Sequence, residues 1–291
     1  MMMKLSVLLI SYNQEKFIKE CVESILSQEV SFGCEIVVAD DHSTDATLKI
    51  ITDLLAQGKF QYKILNEKHN LGMRKNYQRG FAACSGQYIA IMEGDDYWCD
   101  PKRLSKHVAF LDDHPECAMS FNRLMMYHEA RGTWNTEEWR HSDDFEYITT
   151  AMLARRNRIF NLSACIIRDQ AFLKIAPELH EMGFADWMLG MALGEIGKLV
   201  KFRETMSVYR VHKLGQWSGR TNTENFSALI NITIPQYDKF LCYKYHAEFE
   251  EHKKDLEEQL ELERSLRTRI ARMLSIILPG FSKAWIRKII Y

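Results

Sequence analysis

Three successive times near the start of this chain an apolar run stops at a polar cluster and is followed by a helical pattern. Leu5–Ile10 leads through Ser11–Asn13 into Phe17, Ile18, Cys21, Val22, Ile25 and Leu26, which share one helical face. Glu35–Ala39 runs into Asp40–Asp45, ahead of a helix marked by Leu48, Ile51 and Leu55 and capped from that polar loop. Tyr62–Leu65 leads through Asn70-Leu71-Gly72 into a helix bearing Arg74, Asn76 and Arg79, and Gln87–Met92 follows as a fourth buried strand. This alternation predicts an α/β fold whose central sheet is mostly parallel and covered by helices on both faces. In such sheets ligands bind outside the carboxyl ends of the strands. The loops Ser11–Asn13, Asp40–Asp45 and Glu93–Asp96 all follow strands and are expected on one rim.

The fourth strand ends in Glu93, Asp95 and Asp96, with Gly94 among them. Carboxylates about 4 Å apart repel by on the order of 1 kcal/mol per pair even in water, so a cation or a shared proton is expected to offset them. Hard oxygen ligands with few others nearby suit Mg²⁺ or Mn²⁺, which take remaining ligands from water and substrate phosphates. The plainer reading makes Asp95 and Asp96 turn residues and leaves Glu93 solvated.

A formal net charge of -1 over 291 residues provides no basic field for nucleic acid. Seven scattered cysteines without C-x-x-C spacing fit a reduced cytoplasmic protein better than a disulfide framework or a zinc site. Leu5–Ile10 is too short for the apolar region of a signal peptide, and no stretch approaches the ~18 apolar residues of a membrane span. Neither G-x-G-x-x-G after the first strand nor G-x-x-x-x-G-K-[ST] occurs, which removes the main signal for dinucleotide oxidoreductases and P-loop proteins.

Further along, Asp100-Pro101 opens a helix through Leu104, Val108 and Leu111, and Cys117–Phe121 reads as a strand. Residues 122–157 are irregular and rich in aromatic and basic side chains, either a binding surface or a loosely packed insertion. Leu162–Ile167 reads as a strand and Asp186 opens an apolar helix. Two short strands, near Leu199–Phe202 and Met206–Tyr209, then lead to Arg210-Val211-His212.

Taken together, VLLISYN, VVADDHSTDAT, NLGMRKN, SGQYIAIMEGDDYWCDPKRL, FADW and YRVH resemble, in order and spacing, a family 2 glycosyltransferase with the A-type nucleotide-sugar-binding fold, of the bacterial surface-glycan type. The resemblance covers roughly Leu5 to Trp217. It implies that Ser11, Tyr12 and Asn13 border the nucleotide of a nucleoside-diphosphate sugar, a UDP-sugar by preference. Asp41, with Asp40, would bind its base or ribose. Asn70, Arg74 and Asp95 join the nucleotide-binding set, and Arg74 and Asn76 would either meet a phosphate or sugar hydroxyl or form the solvated face of a helix. Asp95 and Asp96 stand at the family's D-x-D or D-D element as ligands of a divalent cation, with His212 near the diphosphate or metal. Glu93 replaces the usual first aspartate. Asp186 matches the base that takes a proton from an acceptor hydroxyl in a single inverting displacement, although many relatives carry an acid where this chain has Ala185. Without the resemblance, Asp186 reads as a helix N-cap.

These expectations define a catalytic domain at 1–217 and a helical extension at 218–291. The expected acceptor is a glycan or lipid-linked hydroxyl, and the expected location is cytoplasmic, at the inner face of the membrane. A competing reading is a nucleotide-sugar-binding partner subunit that has lost catalysis. A nucleotidyltransferase would show a glycine-rich basic loop after the first strand, where Ser11–Gln14 has none. From Phe240 to Glu263 the chain is charged and helix-favouring, with leucines too sparse for a sustained heptad. Beyond Glu263 no acid occurs, and Arg267, Arg269, Arg272, Lys283, Arg287 and Lys288 alternate with apolar residues on either side of Pro279-Gly280. Two short amphipathic pieces of this kind suit peripheral attachment to an anionic membrane. The competing expectation is docking on the protein's own core or on a second copy in a homodimer.

Overall fold

A computed structural model describes residues 3–65, 67–139, 142–175, 185–215 and 217–277. The backbone divides into two compact units, Met1–Gly215 and Gln216–Tyr291.

The first unit is built on a ten-stranded sheet. Its strands are β1 (Leu5–Ser11), β2 (Cys34–Asp40), β3 (Gln61–Ile64), β4 (Tyr88–Glu93), β5 (Tyr97–Trp98), β6 (Cys117–His128), β7 (Thr133–Thr136), β8 (Phe145–Ile148), β9 (Cys165–Arg168) and β10 (Lys198–Val211). They lie in the order β3-β2-β1-β4-β9-β6-β10-β5, with β7 on β6 and β8 on β10. Strands β3, β2, β1 and β4 are parallel neighbours, as the strand–helix alternation requires. Beyond β4 the sheet is mixed: β9 runs antiparallel between β4 and β6, while β10 returns parallel to β6. A parallel neighbour needs a crossover, whereas the short link from β6 to β7 can make only an antiparallel pair.

Strand order turns around at β1, whose neighbours are β2 on one side and β4 on the other. The register brings Ser11 opposite Asp40, and Ile10 opposite Glu93. The carboxyl ends of β1, β2 and β4 therefore lie level at a topological switch point, where open α/β sheets bind ligands. Every residue of β1 and β2 is buried, in keeping with strands covered on both faces. The apolar faces that cover them come from α1 (Ile18–Leu26), through Ile18, Cys21, Val22 and Ile25, and from α2 (Thr47–Leu55), through Ile51 and Leu55. Helices α3 (Met73–Ala83) and α4 (Arg103–Asp113) follow β3 and β5.

Several elements differ from the periodicity. Residues 122–157 are ordered: β6 runs on to His128, pairs with β7, and is followed by β8 and α5 (Thr150–Arg155). Leu162–Ala164 is a 3₁₀ turn rather than the start of a strand, because Asn161 accepts from the Ser163 N–H and caps it. After β9 come α6 (Asp169–Phe172) and α7 (Asp186–Gly194). The two expected strands after α7 are one strand, β10, whose register against β6 shifts near Phe202 and Thr205. Those irregularities hide a single 14-residue strand behind what reads as a break.

The second unit holds α8 (Asn222–Ala228), a π-helical turn (Leu229–Thr233), α9 (Ile234–Phe240) and α10 (His246–Ile277). Thr221 and Glu224 form a capping box at α8, and His246 pairs with Asp238 at 2.6 Å where α10 begins. Phe249, Leu256 and Leu260 of α10 are buried, while Leu262, Leu266, Ile270 and Met273 are exposed. Helix α10 runs unbroken through the change from acidic to basic composition, so the first amphipathic piece continues the charged helix. The second piece, from Pro279, lies outside the described residues. No helix among the described residues is long and apolar enough to cross a membrane.

Candidate active site

The rim begins with the loops after β1 and β2, which are laced together. The buried Asp40 carboxylate accepts Ser11 Oγ at 2.9 Å and the Ser43 N–H at 2.9 Å. Asn13, held at a positive φ of 51°, accepts the Thr44 N–H at 2.8 Å through Oδ1. Asp41 is buried as well, and its carboxylate accepts the N–H groups of Leu71 (2.7 Å) and Gly72 (2.9 Å). Asn70 Nδ2 donates to the Asp41 carbonyl at 3.0 Å. Tyr12 stands out of this lattice, 47% exposed. Arg74 lies half-buried in the first turn of α3. Asn76 does not face the rim: it is 1% exposed, donates to the Ala39 carbonyl at 2.7 Å and accepts from Arg79 Nε at 2.8 Å. One step along a helix turns a side chain by about 100°. Polarity alone did not show that Asn76 points inward.

The three acids after β4 occupy different environments. Asp96 is 1% exposed, and both its oxygens are engaged. Oδ1 accepts the Arg210 backbone N–H at 3.0 Å, while Oδ2 accepts Asn161 Nδ2 at 2.8 Å and Ser163 Oγ at 2.7 Å. Burial, and secondarily the Asp95 charge, raises its pKa to about 7. Glu93 accepts Tyr77 Oη at 2.7 Å and Asn161 Nδ2 at 3.3 Å, and burial followed by the neighbouring aspartates raises its carboxyl well above the usual range. Asp95, like Glu93, is partly exposed: its side chain is 21% exposed and meets His212 Nε2 at 3.0 Å. The repulsion is therefore offset by hydrogen-bond donors to Glu93 and Asp96 and shows itself in their raised pKa values. Gly94 permits this spacing, because a Cβ there would lie 2.4 Å from Gln14 Oε1 and 2.8 Å from Ile18 Cδ1.

The end of β10 closes the site from the other side. The Arg210 guanidinium donates to the Asp95 carbonyl at 2.7 Å, pairs with Glu20, and lies over the rings of Tyr97 and Phe17. The His212 ring packs 4.5 Å from Phe17. Both side chains are thus immobilised by packing before any ligand arrives.

Asp186 is not an N-cap. Ala185 occupies the cap position of α7, and Asp186 is the first helical residue. Its Oδ2 accepts Asn157 Nδ2 at 2.9 Å, and burial raises its pKa. Its charge in turn raises the pKa of Glu93, so the two acids share one electrostatic environment. The link between them is the segment 157–163, which the pattern of the sequence did not mark as functional. Asn157 holds Asp186, Asn161 holds Glu93 and Asp96, and Ser163 donates to Asp96 while accepting the Glu93 N–H at 3.0 Å. The available signal was three small polar residues, Asn157, Asn161 and Ser163, set among Ile159, Phe160 and Leu162 at the end of a poorly periodic stretch.

Among the described residues no group of three or more His, Cys, Asp or Glu side chains is arranged to hold a metal ion by itself. The chemistry of Asp95 and His212 nevertheless fits one. A part-exposed carboxylate oxygen and an imidazole nitrogen 3.0 Å apart could become two ligands, the remainder coming from water and phosphate as Mg²⁺ and Mn²⁺ require. Asp96 fits poorly as a direct ligand, since each of its oxygens already accepts hydrogen bonds from buried groups.

A sheet with its switch point at β1, acids at the end of β4 and a further half-buried carboxylate at the head of a helix are the arrangement of an A-type glycosyltransferase-like fold. The sequence profile of glycosyl transferase family 2 matches residues 6–175, and the chain belongs to that family. An uncharacterized protein of Mycobacterium tuberculosis is 34% identical over 227 residues, 76% of this chain and 63% of that protein, so this chain spans under two thirds of the relative's length. The fold is shared with Staphylococcus aureus TarS 1-349 in complex with UDP-GlcNAc (TM-score 0.61, 18% identity, 94% of this chain and 81% of that chain). It is shared too with the mannosyltransferase PcManGT from Pyrobaculum calidifontis in complex with GDP-Man and Mn2+ (TM-score 0.58, 15% identity, 98% and 78%).

Proposed function

We propose that this chain is an inverting glycosyltransferase that moves a sugar from a nucleoside-diphosphate sugar, with UDP as the nucleotide, to a hydroxyl of a glycan or lipid-linked acceptor. The observation that carries the reading is the joining of Asp186 to the Glu93–Asp96 cluster through one segment, Asn157–Ser163. A base and a diphosphate site must face each other across one anomeric carbon. Support for the donor class comes from family membership and from the nucleotide sugars in the two structural neighbours.

In this reading Ser11, Tyr12 and Asn13 border the nucleotide, with the exposed Tyr12 ring beside the base. Asp41, backed by Asp40 and oriented by Asn70, receives the base or ribose, and Arg74 faces a phosphate. Asp95 and His212 would hold Mg²⁺ or Mn²⁺ on the diphosphate, while Asp96 holds the end of β10 and so aligns His212. A bound divalent cation supplies neutralisation of the charge that develops on the leaving diphosphate. The Asp186 carboxylate takes the proton of the acceptor hydroxyl as that oxygen bonds to the anomeric carbon, and the bond from that carbon to the diphosphate oxygen breaks on the opposite face. Asn157 orients the carboxylate for that proton. Its raised pKa lies nearer to neutrality than an ordinary aspartate's, which strengthens it as a base.

For the extension we propose peripheral contact with an anionic membrane surface at the cytoplasmic face, supported by the exposed apolar residues of α10 and the absence of acids beyond Glu263. The catalytic reading is tested by screening sugar nucleotides for hydrolysis and transfer with and without Mn²⁺. Metal-dependent turnover of at least one is expected, and turnover of none would overturn it.

A further inference from the structure

Phe160 combines a left-handed backbone with an exposed aromatic ring. Its φ is 66°, in the left-handed region that glycine, asparagine and aspartate enter most easily and bulky residues rarely do. The ring is 42% exposed, so little burial offsets the strained backbone. Non-glycine residues held in this way cluster at ligand clamps and reaction sites.

Its position is specific. Asn161, whose Cα must lie about 3.8 Å from that of Phe160, donates to Glu93 and Asp96. Asn157 donates through Nδ2 to Asp186, while its Oδ1 accepts the N–H groups of Ile159 (3.0 Å) and Phe160 (3.4 Å). One amide side chain thus fixes both the Asp186 carboxylate and the Phe160 backbone. An exposed aromatic ring is presented on the short segment that spans from the proposed base to the acid cluster.

We infer that Phe160 is the platform on which the acceptor's sugar ring lies, the apolar C–H face of a pyranose stacking on the phenyl ring and its hydroxyl directed to Asp186. This rests on the proposed function, because it takes Asp186 to be the group beside the acceptor hydroxyl. Aromatic faces offer large contact area at low cost in side-chain freedom, and stacking leaves the hydroxyl rim of a sugar open to polar partners. Coupling to Asp186 through Asn157 assigns the ring to the acceptor rather than to the donor sugar.

The test measures binding of a panel of methyl pyranosides by saturation-transfer NMR in the presence of UDP and Mn²⁺, with UDP affinity followed separately by calorimetry. Wild type is compared with F160A, F160G and F160Y. Glycine suits a positive φ, so F160G should melt at or above the wild-type temperature and serves as the folded variant without a ring. At least one pyranoside should bind wild type, weaken fivefold or more in F160A and F160G, and stay within twofold in F160Y, with UDP affinity within twofold throughout. Equal pyranoside binding by F160G and wild type would overturn the inference, as would no pyranoside binding to wild type or a matching loss of UDP in F160G. A fall in acceptor-free donor hydrolysis equal to the loss of transfer would move the ring to the donor sugar and also overturn it. Failure of the catalytic reading shows separately, as wild type neither binding UDP nor hydrolysing any sugar nucleotide.

Discussion

The Asp96 carboxylate accepts the Arg210 backbone N–H at 3.0 Å, fastening the acid loop after β4 to the end of β10, 114 residues further along the chain. His212 lies two residues beyond that anchor and meets Asp95 at 3.0 Å. The two adjacent aspartates thus have separate environments, Asp96 facing inward where it holds the frame and Asp95 reaching solvent beside His212.

Their asparagine variants should therefore fail differently. Asp95→Asn should keep the wild-type melting temperature yet lose metal-dependent turnover, since it removes the solvent-facing carboxylate charge. Asp96→Asn presents an amide N–H₂ to donors that need acceptors, and leaving such buried groups unsatisfied costs roughly 1–3 kcal/mol each. It should melt several degrees lower and lose turnover through displacement of His212. Thermal melting beside an EDTA-reversible turnover assay separates the two, and equal melting temperatures would refute the division of roles.

Asp186→Asn should leave nucleotide affinity unchanged while lowering transfer by about 10²–10⁴-fold, the usual worth of a positioned general base. Calorimetry with UDP and a transfer assay measure the two effects independently. Asn157→Ala should show a smaller loss in the same direction, because Asp186 keeps its charge but loses the donor that orients it. Near wild-type transfer by Asp186→Asn would leave the carboxylate a structural role only.

The places of Asp95 and of the Asp40–Asp45 loop at strand ends were legible in the sequence because each follows a periodic element whose type and direction the apolar pattern reveals, whereas Asp186 stood out only through the family resemblance. Strands β1 to β4 and the helices between them were legible for the same reason. Tyr77, Asn157, Asn161 and Ser163 were not, since what ties them to the candidate site is an inward contact with an acid far away in the chain. The Asn161–Asp96 bond, for instance, joins residues 65 apart. Local periodicity carries no trace of such a pairing. The single strand β10 was hidden likewise, because its register shifts against β6 break the two-residue alternation.

The acid cluster also predicts a pH dependence of stability in metal-free buffer. Burial raises the folded-state pKa of Asp96 from 3.8 to about 7, and those of Glu93 and Asp186 rise in the same direction. The folded state then binds more protons than the unfolded state between those limits. The contribution is complete below about pH 4 and lost as pH rises through 7, with a slope of at most about 1.4 kcal/mol per pH unit for each proton. Glu35, Asp45, Asp100 and Asp112 are shifted downward and act with the opposite sign, chiefly below their ordinary values. Denaturant unfolding between pH 5 and 8 with EDTA should show stability declining for wild type and less steeply for Asp96→Asn. Parallel pH profiles would show that Asp96 titrates as an ordinary aspartate.

The last prediction concerns α10, where the apolar residues Leu262, Leu266, Ile270 and Met273 are exposed at spacings of four, four and three. That spacing gathers them along one side of the helix. Past Glu263 the helix carries arginines with no acid to balance them. Two copies paired along this stretch would bring like charges together, whereas an anionic lipid surface attracts each cation by about 1 kcal/mol. The intact chain should sediment with liposomes containing phosphatidylglycerol, less with purely zwitterionic ones, and less again as salt is raised within the range where charge screening takes hold. Deleting residues 264–291, or introducing Leu266→Glu with Ile270→Glu, should abolish sedimentation while leaving sugar-nucleotide hydrolysis intact, because every residue of the candidate site belongs to the first unit. Salt-independent sedimentation, or liposome binding unaltered by the double substitution, would count against a membrane role, and concentration-dependent dimerisation lost with the same substitutions would assign the face to a second copy instead.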